Sequence, residues 1–303
     1  MIRRRPFVAI LLTLAAVASA CSSGSGNTGR SAEQTVAIAT TSIWADIVSG
    51  ATCGDLVTVQ TLVPRGISAH EYEPSLRDRA DLGGAGLLVA NGLGLEQGFD
   101  RTLDASVSDL TSLLRIGEAV DGLLPSEGGF DPHVWLDPTR VASALPALQR
   151  ALVDAGVPLE PLASCVDSFT AELTALDSEV TSVLDTVPAD RRRMITNHDA
   201  LAYFADRYQF EVVGSILPSN LPLAQPQAAD IAALIDTAIA DGIDTVFTEP
   251  TVAAGDAATV ARSAGAKLVP LWVESLGTGK GDGPASYFDM IRENANTVAN
   301  ALG

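Results

Sequence analysis

Between Pro161 and Pro188 the chain runs without Gly or Pro, and its apolar residues Leu162, Val166, Phe169, Leu173, Leu176, Val180, Val183 and Val187 recur at steps of three or four. That spacing is a helical stripe. At 1.5 Å per residue, a helix over 161–187 spans roughly 40 Å, about the length of a small protein. A rod of this length either braces two bodies or lies packed inside one. The sequence on each side of it favours the first arrangement.

Upstream, short β-branched or aliphatic runs at 36–39, 56–62 and 86–90 read as buried strands. Amphipathic patterns at 42–49, 75–81 and 97–105 read as helices, with Ser75 and Asp78 spaced as a capping box. Downstream, strand-like runs at 194–197, 211–214, 245–248 and 267–270 are separated by helical stretches at 198–207, 227–241, 253–264 and 284–301. Alternation of this kind makes βα units and parallel sheets. The expectation is an α/β protein with two lobes of parallel-rich sheet, 36–160 and 188–303, joined by the rigid helix 161–187.

The first twenty residues have the layout of an export signal. Arg3, Arg4 and Arg5 precede the apolar run 7–17, and Ala18-Ser19-Ala20 supplies small residues before a cut. The apolar run falls short of the ~20 residues a membrane-spanning helix needs. Cys21 follows, then Ser22-Ser23-Gly24-Ser25-Gly26, a polar tether taken as 21–35. A cysteine at the cut resembles the lipidation site of bacterial lipoproteins, the alternative being ordinary cleavage that leaves Cys21 as a plain N-terminus. The other two cysteines, Cys53 and Cys165, suit either a disulfide outside the cytoplasm or two buried thiols.

Removing 1–20 leaves 16 basic against 37 acidic side chains, a balance of −21. Nucleic-acid binding needs clustered Lys and Arg, so this surface argues against it. Two glycine-rich stretches fail as nucleotide loops. Asn91-Gly92-Leu93-Gly94-Leu95-Glu96-Gln97 lacks a third glycine, and Gly277-Thr278-Gly279-Lys280 ends in Gly281 where a P-loop needs Ser or Thr.

Only three histidines occur, His70, His133 and His198, separated by 63 and 65 residues. Local zinc knuckles keep their ligands a few residues apart, so these imidazoles meet only if tertiary structure gathers them. Each stands at a strand–helix junction, where open α/β sheets collect ligands. His133 precedes Asp137-Pro138, a good N-cap and first-turn pair. Three imidazoles with one carboxylate make a four-ligand set without sulfur, which favours Zn(II) or Mn(II) over Cu(I) and ranks zinc above manganese.

Several motifs resemble the TroA-like zinc- and manganese-binding receptors of bacterial ABC importers over nearly the whole mature chain. They are His70-Glu71-Tyr72-Glu73-Pro74, Asn91 to Glu96, Asp131-Pro132-His133-Val134-Trp135-Leu136-Asp137-Pro138, His198-Asp199-Ala200 with Tyr203-Phe204, Phe247-Thr248-Glu249-Pro250, and the stretch after Leu271. The resemblance implies a metal held in the cleft between the lobes, by His70 and His133 from the first and by His198 and a carboxylate from the second. That family usually has Asp where this chain has Glu274; Glu249 is the rival carboxylate. Glu249 and Asp131 are expected behind the ligands, since metal-bound histidines usually donate their other N–H to a carboxylate or carbonyl.

The expected function is an exported lipoprotein on the outer face of the bacterial cell membrane. It would be a monomer and not an enzyme, binding Zn(II), or Mn(II) as second choice, for delivery to an ABC permease. A zinc-dependent hydrolase and a metal-binding surface adhesin are the alternatives. No His-Glu-x-x-His motif supports the hydrolase.

Overall fold

β1 (Val36–Ala39) lies between β2 (Thr58–Thr61) and β3 (Leu87–Ala90), and β4 (Ser112–Arg115) extends the sheet beyond β3, every pairing being parallel. The structure, a computed structural model, describes residues 34–126, 128–217, 226–278 and 281–303. The export signal 1–20 and Cys21 read from the sequence lie outside the described residues, as do most of the tether and Gly279 and Lys280 of the second glycine-rich stretch. β3 is buried at every position, as expected of a parallel strand with helices on both faces. The order β2-β1-β3-β4 reverses direction between β1 and β3, which opens a crevice at their carboxyl ends.

The second sheet repeats this plan. β7 (Arg193–His198) and β9 (Thr245–Thr248) are the central pair, flanked by β8 (Glu211–Leu217) and β10 (Lys267–Pro270), again all parallel. Its reversal lies between β7 and β9. A small antiparallel pair, β5 (Pro125–Ser126) and β6 (Gly129–Phe130), precedes the His133 segment.

Helices α1 (Ser42–Ala51), α2 (Leu76–Leu82), α3 (Asp100–Ser106) and α4 (Pro138–Asp154) follow successive parts of the first sheet. Ser75 and Asp78 form the expected capping box, and Asp137 caps α4 by accepting from the amides of Thr139 and Arg140, with Pro138 in the first turn. Such caps contribute about 1 kcal/mol each. The second sheet carries α6 (Ala202–Tyr208), α7 (Ala228–Ala240) and α8 (Gly255–Ala264). β7 runs through His198 and α6 begins only at Ala202, so the helix expected to open at His198 starts four residues later.

The long helix is α5 (Leu159–Leu184), shifted slightly towards the N-terminus of the 161–187 stripe. Pro161 sits in its first turn, where the missing N–H is not needed. At its N-terminal end Cys165 forms a disulfide with Cys53, just past α1. Near its C-terminal end Asp177 binds Arg207 through both carboxylate oxygens and accepts from Tyr208 Oη, both on α6. One rod thus touches helices of both sheets. The last helix, α9 (Tyr287–Leu302), was expected to complete the second lobe; it packs on α5 and also meets α1.

The principal core is continuous. It joins Trp44, Leu88, Trp135, Phe169, Leu176, Met194, Tyr203, Phe247 and Met290. A smaller cluster of Ile195, Ile216, Val246, Val260 and neighbours lies on the other face of the second sheet. Met194 and Ile195, consecutive on β7, point to opposite faces as strand geometry demands. Among the described residues no helix is long and apolar enough to cross a membrane.

Candidate metal centre

His198 ends β7 and Glu249 follows β9, so both occupy the crevice at the reversal of the second sheet. There His198 Nδ1 pairs with Glu249 Oε1. With Nδ1 engaged, the ring turns Nε2 away from its own sheet, to within 3.2 Å of His133 Nε2.

His133 is held with equal care. Asp131 Oδ1 accepts from the His133 amide at 2.8 Å and meets its Nδ1 at 2.7 Å. The segment is pinned from below by Asn91 at the end of β3, whose side-chain amide donates to Pro132 O at 2.9 Å. Asn91 is fixed in turn: its Oδ1 accepts from Trp44 Nε1, and its backbone N–H donates to Glu96. Glu96 also accepts from Gly92 N and Thr40 Oγ1. The Asn91–Glu96 turn needs Gly92 at φ 75°, which a side chain would strain. The run rejected as a nucleotide loop is therefore a buried bracket under the His133 segment.

His70 lies on a 3₁₀ turn (Ala69–Glu71) whose N-cap, Ser68, accepts from the His70 amide. Glu274 follows β10 by four residues. Its Oε1 lies 3.4 Å from His70 Nε2, 3.4 Å from His198 Nε2 and 3.9 Å from His133 Nε2. The four donor atoms fall within 4.8 Å of one another. For zinc bonds of about 2.0–2.1 Å, the edge of a regular tetrahedron of donors is about 3.3 Å, close to most of these separations.

Burial and charge explain the state of each group. Burial lowers His70 to about 4, helped by the neighbouring imidazoles and opposed by Glu274, so it is neutral at neutral pH. Burial also opposes charge on His133, but Asp131 and Glu274 together outweigh it and raise it to about 10. His198 is raised in the same way, Glu249 outweighing burial. Burial would raise Glu274, yet the facing imidazoles hold it down at about 2. His70 Nε2 and Glu274 Oε2 are buried without a hydrogen-bond partner. Unsatisfied groups of this kind are costly and call for an explanation, and an ion is one. A dication placed among the donors would bond His70 Nε2 directly and meet the Glu274 carboxylate through Oε1.

All four residues expected as ligands thus come together, and Asp131 and Glu249 stand behind two of them. Glu249 is not among the converging donors. The sequence reading missed the residues that hold the Glu274 segment: Ser42, Gly66 and Ser275. No local pattern announces contacts between residues more than 200 positions apart.

A family profile described as "ZnuA: Zinc-uptake complex component A periplasmic" matches residues 38–301. The manganese-binding lipoprotein MntA of Halalkalibacterium halodurans is 25% identical over 299 residues, covering 98% of each chain. The iron-binding protein YfeA of Yersinia pestis is 27% identical over 309 residues, covering 98% of this chain and 97% of its own. Among solved structures, the periplasmic zinc-binding protein TroA of Treponema pallidum superposes with a TM-score of 0.81. It is 24% identical and covers 89% of this chain and 99% of its own.

Proposed function

The chain belongs to the family of periplasmic zinc-uptake component A, and from that premise we propose that it captures Zn(II) outside the cytoplasm for an ABC permease. It is a metal-binding receptor of an importer and not an enzyme. Relatives are named a manganese-binding lipoprotein, an iron-binding protein, a zinc-binding protein and a metal ABC transporter substrate-binding lipoprotein, so the choice of ion rests on the donor set. Three imidazole nitrogens and one carboxylate oxygen, gathered within 4.8 Å of one another, suit four-coordinate zinc. Manganese prefers oxygen donors and stands lower in intrinsic affinity for nitrogen sites. It is the second choice.

The observation that carries this reading is the convergence of donor atoms of His70, His133, His198 and Glu274 within 4.8 Å of one another, His70 Nε2 being buried without a hydrogen bond. Export on the 1–20 signal and a lipid on Cys21 would keep the receptor at the outer face of the membrane, beside the permease. Lipoprotein names among the relatives support that placement. The mature charge of −21 also draws cations at long range in dilute salt.

Calorimetric titration of chelator-stripped protein tests the proposal. One zinc should bind per chain and displace manganese in competition. His133→Ala should weaken zinc by more than about 100-fold, because loss of a ligand exceeds the 10–100-fold typical of an outer partner. Unchanged zinc binding in His133→Ala would refute the site, and preference for manganese would refute the choice of ion.

A further inference from the structure

The carboxylate of Glu274 has nothing of its own to hold it. Oε2 lacks a partner, and Oε1 faces only the imidazoles it would share a cation with. Glu has one more rotatable bond than Asp, so a glutamate in this position needs more restraint from its backbone to present one oxygen accurately. That restraint comes from the opposite end of the chain. Ser275 Oγ accepts from the Gly66 amide at 2.7 Å and lies 3.3 Å from Ser42 Oγ at the start of α1. Ser42 Oγ accepts from the Leu276 amide at 3.0 Å. Ser42, Ser275 and Leu276 are all buried.

Further bonds close the segment on both sides. Trp135 Nε1 donates to Val273 O at 2.8 Å, and Arg65 Nη1 donates to Gly277 O at 3.0 Å. Gly66 sits at φ +81°, the conformation in which its amide meets Ser275. By sequence Glu274 belongs after the second sheet, yet every one of these bonds ties its segment to the first.

We infer that Ser275 is a positioning residue for Glu274: clasped to Gly66 and Ser42, it fixes the fourth ligand to the first sheet, on the same side as His70 and His133. The inference rests on the metal-receptor reading. Three donors then share one rigid support, and His198 alone arrives from the second sheet.

A double-mutant cycle tests this, with zinc titration and the visible absorption of Co(II) as probes. Ser275→Ala should lower zinc affinity about tenfold, at the lower end of outer-partner effects. Its Co(II) bands should move towards those of Glu274→Ala. In a Glu274→Ala background the same substitution should cost nothing more. Ser42→Ala attacks the clasp from the other side and should reproduce the pattern, so a fold defect peculiar to one variant does not decide the matter. Wild-type affinity and spectrum in both serine variants would overturn the inference, as would an equal loss with and without Glu274. Zinc binding that requires His133 but ignores Glu274 would overturn it while sparing the receptor. Failure of the unaltered protein to bind zinc would instead remove the receptor reading itself.

Discussion

Two walls of the metal centre are built on opposite plans. On one, His133 and His198 each have a carboxylate behind the ring, Asp131 and Glu249, which sets the tautomer and aims Nε2 inward. On the other, His70 and Glu274 present atoms that nothing in the protein satisfies. The first wall is oriented whether or not an ion is present. The second has no carboxylate behind its imidazole, and unpartnered buried atoms occur on both walls, since Glu249 Oε2 also lacks a hydrogen bond. A site of this design is already shaped, so capture needs little rearrangement.

Breaking the oriented wall should have the largest effect. Asp131 serves both the amide and the ring of His133, so Asp131→Ala, which removes both bonds, should weaken zinc by about 100-fold in the same titration. A loss below threefold would mean that His133 is aimed by packing alone and that the contrast between the walls is superficial. Next comes pH. His133, raised to about 10, carries a proton in the metal-free protein at neutral pH, and an incoming cation must displace it. His70, lowered to about 4, has no proton to lose. Affinity should therefore rise with pH, by at least about tenfold per unit between 6.5 and 8.5, since His133 gives up one proton and His198, raised in the same way, adds to the release; affinity should fall as the solution is acidified. Titrations in buffers of different ionisation enthalpy would count the protons released; a flat profile would contradict their presence. The smallest effect belongs to Glu249→Gln, about tenfold, because an amide oxygen can still accept from His198 Nδ1.

Much of this was legible in the sequence because it is written locally. The apolar steps from Leu162 to Val187 announce α5, and the strands Val36–Ala39 and Thr245–Thr248 fall where buried β-branched runs place them. Histidine is scarce enough that three of three at loop junctions narrows the search for ligands. What the sequence hid is non-local. β4 is a short, partly exposed strand with little alternation to mark it. Pro146 interrupts the pattern of α4. The clasp of Ser42, Gly66 and Ser275 joins residues over 200 apart, and no periodicity records such a contact. The docking of α9 on α5 is hidden for the same reason, since an amphipathic stripe says that a face is buried but not against what.

That docking has a consequence for assembly. Tyr287, at the start of α9, is fully buried; its hydroxyl donates to Trp135 O and its amide donates to Asp46. Met290, Ile291 and Val298 continue the same seam inside the principal core. A chain emerging from its N-terminus, whether from the ribosome or through an export channel, reaches this helix only after both sheets. The early half therefore waits, incompletely sealed, for the sixteen residues of α9 to arrive, and a chain without this helix would lose the lid of its oldest part.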